Sequence, residues 1–312
     1  MTARERGGGS AVVARVDFGA CVLMPDDGPV LEATVRGRVM GPTKSLGSTV
    51  VVGDRVRYEL ERGRAAILES LPRRNTFSRR AGGRRLAEQV VAANLDQVVL
   101  VASTDAPEFR PGFADRVLSQ AEHAGIPARL VLNKVDRVER GLVAPLLADY
   151  SRAGYAAHAV SALTGEGVEE LRHACLARRS LFVGQSGVGK STLLNTMVPG
   201  LDLLIGRVNP KTGKGRHTTT AAWLVRPVPE FELIDTPGMR TFGLWGIGAR
   251  ELEQSYPEFR RFLGLCRFAD CRHDREPGCA LAEALVRGDV PPRRFESFLK
   301  LRAELEEEGG RE

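Results

Sequence analysis

Gly184-Gln185-Ser186-Gly187-Val188-Gly189-Lys190-Ser191 is the stretch whose reading decides the fold. The apolar run Ser180-Leu181-Phe182-Val183 before it reads as a short buried strand. Thr192-Leu193-Leu194-Asn195-Thr196-Met197 after it reads as a helix with Leu193, Leu194 and Met197 on one face. Strand, loop and helix together make G-x-x-x-x-G-K-[ST] a phosphate-binding loop rather than a glycine-rich turn. Residues without a Cβ let backbone N–H groups wrap an anion, and the helix N-terminus adds free N–H groups and partial positive charge. Across Gly184 to Thr192, Lys190 is expected to reach the β- and γ-phosphates and the Ser191 hydroxyl to bind Mg2+.

Upstream, Asp96 to Ser103 reads as a buried strand, Phe113 to Ala124 as a helix with Phe113, Val117, Leu118 and Ala121 inward, and Ala128 to Leu132 as a second strand. That strand ends in Asn133-Lys134-Val135-Asp136, where open α/β sheets bind ligands. A carboxylate at Asp136 can accept hydrogen bonds from guanine N1–H and the 2-amino group, and adenine offers neither donor. Lys134 would lie against the ring and Asn133 would tie neighbouring loops together. The strand-like Tyr155 to Val160 leads into Ser161-Ala162-Leu163-Thr164-Gly165, a loop suited to offer the Ala162 N–H to guanine O6.

Downstream, Gly206 to Thr220 is polar and basic and reads as a switch loop that orders around the γ-phosphate. Ala222 to Val225 and Phe231 to Ile234 read as strands, the second ending in Asp235-Thr236-Pro237-Gly238. Asp235 would hold Mg2+ through water, and the Gly238 N–H would sense the γ-phosphate. Guanine-nucleotide domains ordinarily run phosphate loop, switches, base loops, and here both base loops come first. The central region is therefore an α/β P-loop GTPase domain in circularly permuted order, an arrangement that close-lying surface termini tolerate. Asp136 speaks against an ATP-using kinase.

The position after Asp-x-x-Gly, where many GTPases carry a water-orienting glutamine, holds Met239. His217, between Arg216 and Thr218-Thr219, is the candidate to place the attacking water, with Lys190, Thr218 and Thr219 completing the expected catalytic set. A solvent-facing loop histidine or an RNA-phosphate contact is the alternative for His217.

The 312 residues are 43% hydrophobic and 27% charged with a net charge of +6, enough for several ordinary cores and compatible with a nucleic-acid partner. No apolar run is long enough to span a bilayer and Met1 to Ser10 lacks a signal-peptide core, so a cytoplasmic protein without membrane contact is expected. In the first domain, residues 1–71, short β-like runs alternate with turns over 11–71, among them Val50-Val51-Val52 and a Gly53-Asp54 turn. They suggest a small β-barrel, an OB-fold first and an SH3-like barrel second. Arg36, Arg38, Lys44, Arg55 and Arg57 would supply charge for RNA, although Phe18 and Tyr58 are the few aromatics available for stacking. Residues 72–92 read as an arginine-rich linker, either a solvated connector or a phosphate-backbone contact, ahead of the GTPase domain at 93–243.

Residues 244–312 read as a mostly helical zinc-binding module. Cys266, Cys271, His273 and Cys279 fall within fourteen residues, a Cys3His set suited to one closed structural zinc site. Helices are expected at Ala249 to Ser255, Ala280 to Arg287 and Arg293 to Leu305, the last with Phe295, Phe298, Leu299 and Leu305 inward and an acidic, frayed end. Cys21 and Cys175, in apolar surroundings, are expected as buried thiols.

With these motifs the chain resembles the RsgA or YjeQ family of small-ribosomal-subunit biogenesis GTPases over nearly its whole length. The carrying residues are Asn133 to Asp136, Gly184 to Thr192, Gly213 to Thr220, Asp235 to Gly238 and the Cys266/Cys271/His273/Cys279 set. The resemblance implies GTP hydrolysis stimulated by the 30S subunit, 16S rRNA contact by barrel and zinc module, and a role in late 30S maturation. A monomer is expected. A nucleotide-switched RNA-binding scaffold, with hydrolysis incidental, is the alternative.

Overall fold

The structure is a computed structural model that describes residues 8–17, 20–35, 50–61, 64–82, 87–201, 222–274 and 276–309. Five strands come first: β1 (Gly8–Asp17), β2 (Ala20–Pro25), β3 (Leu31–Val35), β4 (Arg55–Glu61) and β5 (Arg64–Ser70). They close into a barrel in the order β1-β2-β3-β5-β4, with β3 and β5 parallel and the remaining pairs antiparallel. That non-sequential order is of the OB type. Alternating residues fill the interior: Ala11, Val13, Cys21, Leu23, Ala33, Val56, Tyr58 and Ile67 are buried. Tyr58 is therefore part of the barrel core rather than a stacking platform. Val50-Val51-Val52, expected as a strand, is buried but forms none; it packs as the approach to the Gly53-Asp54 turn.

Gly53 is where the barrel meets the rest of the chain. Its φ is +89°, and a Cβ there would stand 2.2 Å from the Ala93 carbonyl oxygen, so only glycine fits. The Gly53 carbonyl accepts from Arg179 Nη1 at 2.9 Å and Asn94 Nδ2 at 3.0 Å. Asp54, fully buried, takes a bidentate pair from Arg73 at 2.7 and 2.8 Å.

Within residues 72–92, expected as a linker, the described residues include two strands. β6 (Thr76–Arg80) and β7 (Glu88–Ala93) pair antiparallel, and Phe77 is buried against Phe242, ring centroids 5.6 Å apart. Arginine-rich composition concealed the hairpin because its outward residues are the charged ones.

The central sheet comprises β8 (Gln97–Ser103), β9 (Ala128–Asn133), β10 (Ala156–Ala159), β11 (Arg178–Gly184), β12 (Trp223–Val228) and β13 (Phe231–Asp235). Its order is β10-β9-β8-β11-β13-β12, parallel except for the β12–β13 edge. Among the described residues four helices flank it: α1 (Pro111–His123), α2 (Arg140–Arg152), α3 (Val168–Cys175) and α4 (Lys190–Met197). α1 and α2 cover one face, and α3 and α4 the other. Strands covered on both sides become continuous apolar runs, as in Val98-Val99-Leu100-Val101.

The C-terminal module holds 3-10 turns at Leu252–Ser255 and Pro257–Phe262, then α5 (Ala280–Val286) and α6 (Pro292–Gly309). The first expected helix there is thus a single 3-10 turn. The acidic end is not frayed up to residue 309: Glu308 pairs with Arg80, Glu304 with Arg116 and Glu306 with Arg272. Cys21 and Cys175 are buried, as expected.

A buried charge cluster fastens this module to α1. Arg294 has no exposed surface; it donates to Glu258 at 2.7 and 3.2 Å and to Asp115, whose Oδ1 also accepts from Tyr150 at 2.9 Å. Its guanidinium lies 4.4 Å from the Tyr256 ring centre. Burial alone would lower its pKa, but the two carboxylates outweigh burial and hold it well above the ordinary value. Replacing Arg294 with Leu strands two buried carboxylates, so we expect a loss of about 3–5 kcal/mol, read as a lower urea midpoint. Arg294→Lys should recover little of it, because one ammonium cannot replace the bidentate fork.

Candidate functional site

Parallel strands bring their carboxyl ends to one edge, and the expected loops meet there. Register pairs Ser103 with Asn133, Leu132 with Ala159, Val101 with Gly184 and Phe182 with Asp235. Gly184 to Gly189 links β11 to α4, whose apolar residues Leu193, Leu194 and Met197 are buried as expected. Gly189 has φ +84°, and a Cβ on it would lie 2.5 Å from Asn133 Nδ2. The loop glycine therefore makes room for the base loop as well as for an anion.

Asn133 is buried and bridges three loops. Its Nδ2 donates to the Val188 carbonyl at 2.9 Å, and its Oδ1 accepts from the Ala162 N–H at 3.0 Å. The tying role read from the sequence is the geometry observed. The Ala162 N–H, expected for guanine O6, is engaged by Asn133 in this structure. Ser161 is buried, and its hydroxyl accepts from the Thr164 N–H at 3.1 Å, shaping that loop. Lys134 and Val135 follow Asn133, with Val135 buried as an anchor and Asp136 exposed at the rim in a 3-10 turn over Val135–Arg137. Lys134 Nζ donates to the Gly187 carbonyl at 2.7 Å. Desolvation, followed by Arg137 nearby, lowers the Lys134 pKa.

Lys190, buried at the start of α4, donates to the Asp235 carboxylate and the Thr236 carbonyl. Ser191 and Thr192 are exposed beside it. Asp235 and Ser191 offer the hard oxygen donors that Mg2+ takes, and they fit that ion when a nucleotide supplies the remaining oxygens. The Asp235 to Gly238 segment lies along the phosphate loop. The Thr236 hydroxyl donates to Phe182 O at 2.7 Å, Met239 N–H donates to Gly184 O at 3.0 Å, and a Cβ on Gly238 would fall 2.9 Å from Ser186 Cα. Gln185 bridges to Met239, whose side chain is buried, so position 239 packs rather than orienting water. His217, Thr218 and Thr219, with the rest of the expected switch loop, lie outside the described residues.

In the C-terminal module, Cys266, Cys271, His273 and Cys279 present ligand atoms all within 4.8 Å of one another. His273 Nδ1 lies 3.5 Å from Cys266 Sγ and 3.4 Å from Cys279 Sγ. Tetrahedral zinc, with bonds of ~2.0 Å to nitrogen and ~2.3 Å to sulfur, needs an N–S edge of roughly 3.6 Å, so the set fits one ion. Desolvation, reinforced by Cys279 and Cys266 nearby, pushes the Cys271 thiol up to about 12. Cys279 caps α5, its Sγ accepting from the Ala282 N–H at 3.4 Å. One contributor escaped the sequence reading: Glu253 Oε2 sits 2.8 Å from His273 Nε2 and fixes Nδ1 as the metal-facing atom. It lies twenty positions upstream on a 3-10 turn, with no motif spacing to mark it.

Phosphate loop, base loops and Asp-x-x-Gly segment share one sheet edge, with the base loops earliest in the chain; the protein is a circularly permuted GTPase. The RsgA GTPase family model matches residues 70–245, and the chain belongs to that family. A relative in Gemmatimonas aurantiaca, small ribosomal subunit biogenesis GTPase RsgA, is 44% identical over 300 residues, covering 95% of this chain and 97% of that one. The relative of that name in Chlorobaculum parvum is 41% identical over 310 residues, with 96% and 98% covered. YjeQ from Thermotoga maritima superposes with a TM-score of 0.76 at 29% identity, covering 96% of this chain and 99% of that one. YloQ, described as a circularly permuted GTPase, shares the fold with a TM-score of 0.72 at 20% identity, over 99% and 98% of the two chains.

Purified protein should carry one zinc by elemental analysis, and chelation should expose residues 244–309 to proteolysis. Glu253→Gln should weaken zinc binding ~10–100-fold in chelator competition while leaving all four ligands in place.

Proposed function

We propose that this protein hydrolyses GTP to GDP and phosphate while bound to the small ribosomal subunit, and acts in that subunit's maturation. The observation that carries the reading is the Asn133 bridge, which sets a guanine-reading loop at a fixed distance from a phosphate loop. In this reading Asp136 accepts from the guanine edge and the Lys134 stem lines the ring. The phosphate-loop backbone, Lys190 and Thr192 hold phosphates, Ser191 and Asp235 hold Mg2+, and Gly238 senses the γ-phosphate. The protein works as a monomer on 16S rRNA, using barrel and zinc module. Arg55 and Arg57 are both exposed on β4, and Arg267 lies beside the half-exposed Phe268, its guanidinium 5.5 Å from the ring centre. Among the described residues no helix is long and apolar enough to cross a membrane.

Buried Met239 leaves the attacking water without a side-chain guide at that position, so slow intrinsic turnover follows and His217 is assigned the orienting role. Steady-state GTPase rates with and without purified 30S subunits test this. His217→Ala should keep GTP and 30S binding and lose most stimulated hydrolysis, ~10²-fold for a lost water-orienting base. A parental rate with 30S present would remove His217 from the mechanism. Equal rates with and without 30S would favour the scaffold reading.

Base choice is tested separately. Asp136→Asn should weaken GTP binding roughly 10²-fold, one hydrogen bond being lost to a donor facing the 2-amino group and the other losing its charge. It should also improve xanthosine triphosphate binding, because xanthine presents a carbonyl where guanine has its 2-amino donor.

A further inference from the structure

One more loop lies at the nucleotide edge, and no motif marks it. β8 ends at Ser103, and Thr104-Asp105-Ala106-Pro107 follows on the way to α1. The Thr104 N–H donates to the Asn133 carbonyl at 3.1 Å, and its hydroxyl donates to the Lys134 carbonyl at 2.7 Å. In return, Lys134 Nζ donates to the carbonyls of Asp105 at 3.1 Å and Ala106 at 2.6 Å, besides Gly187 at 2.7 Å. Pro107 Cδ stands 3.4 Å from the point a Gly187 Cβ would occupy. The Ser103 hydroxyl donates to the Pro107 carbonyl at 2.5 Å and closes the loop on itself. The loop is thus clipped to the base loop in both directions and rests on the phosphate loop.

The clip has a clear physical task. Lys134 has φ +65°, the left-handed region that an L-residue adopts only when its surroundings impose it. Thr104 bonds both carbonyls flanking that residue's backbone, the Lys134 carbonyl also taking the Arg137 N–H at 3.0 Å. An ammonium has three donors, and the three carbonyls use them all. The ammonium is then committed to the loops, and the apolar stem of Lys134 is what remains to face a flat ring.

We infer that Thr104 is a positioning residue for the guanine nucleotide, acting through the Asn133–Lys134 backbone, and that residues 103–107 form an additional wall of the nucleotide site. The inference rests on the reading of Asn133 to Asp136 as the base loop.

Thr104→Val keeps shape and removes the hydroxyl donor. It should speed GDP release ~10-fold and raise KM for GTP by a similar factor, with kcat at saturating GTP unchanged, the effect of one lost hydrogen bond in binding alone. Thr104→Ser should restore both. A merely structural residue would lower Tm yet leave GDP release from folded protein at the parental rate, and that result overturns the proposal. On the unaltered protein, hydrogen exchange covers the case in which the valine variant does not fold. GDP should slow exchange at Thr104, Asp105 and Ala106 together with 133–136, and unchanged exchange at the former three overturns the proposal. Asp136→Asn, run in parallel, separates the two levels. If it neither loses GTP nor gains xanthosine triphosphate, the base-loop reading fails and takes this one with it. If it switches base while Thr104→Val is silent, only the present inference falls.

Discussion

At the carboxyl edge of the central sheet one buried carboxamide joins three loops. Asn133 spends its donor on the phosphate loop and its acceptor on the loop after β10, and both bonds are buried, where an unpaired amide would cost ~1–3 kcal/mol. Sheet register alone aligns strand ends to within a residue; it does not fix how far apart flexible loops stand. A buried side chain with two opposed hydrogen bonds does so. Glycine at 189 is the complement of this constraint, because any side chain there would collide with the amide. A rigid ligand with a base at one end and phosphates at the other requires just such a fixed span.

Permutation determines what surrounds that site. Since the base-loop half comes first, the chain leaving β13 cannot return to the sheet and crosses instead into the C-terminal module. α1 becomes the seam. Its inward face, Phe113, Val117, Leu118 and Ala121, packs on the sheet. Its other face is polar yet engaged: Asp115 meets Arg294, Arg116 meets Glu304, Gln120 bonds the Trp245 backbone at 2.8 and 3.1 Å, and Glu122 meets Arg260 at 2.6 Å. The segment after Gly238 runs between these partners, with Gly243 accepting from the Arg80 N–H at 3.0 Å. The hairpin, the C-terminal module and the segment after Gly238 therefore share contacts along α1.

Local chemistry was legible in the sequence, and long-range partnership was not. Phosphate loop, base loop and Asp-x-x-Gly each sit where strand and turn signals put them, because each is a short segment whose glycines and charges have no other use. The Cys3His set is legible for the same reason. Residues whose role is set by a distant partner look ordinary. Asp115 and Arg294 belong to no motif and carry no spacing that marks them, and they are fully buried, 179 positions apart. Residues 72–92 read as a connector because arginine and glycine dominate, while the hairpin is held by Phe77 and by backbone pairing that composition does not encode. Val50-Val51-Val52 has strand propensity, but its neighbours demand a turn at Gly53, and β-propensity yields to such context. The Ala162 N–H illustrates the limit within a recognised motif: its loop is found, but not the neighbour that holds it.

Lys190 and Asp235 show how the site keeps its charges in order. Both are buried, and they pair with each other. Lys190 also donates to the Thr236 carbonyl, so one buried ammonium holds both the carboxylate at the end of β13 and the backbone that follows it. Because Gly238 lies against Ser186, and Met239 is hydrogen-bonded to Gly184, the segment that follows Asp235 is held along the phosphate loop before it leads into the C-terminal module.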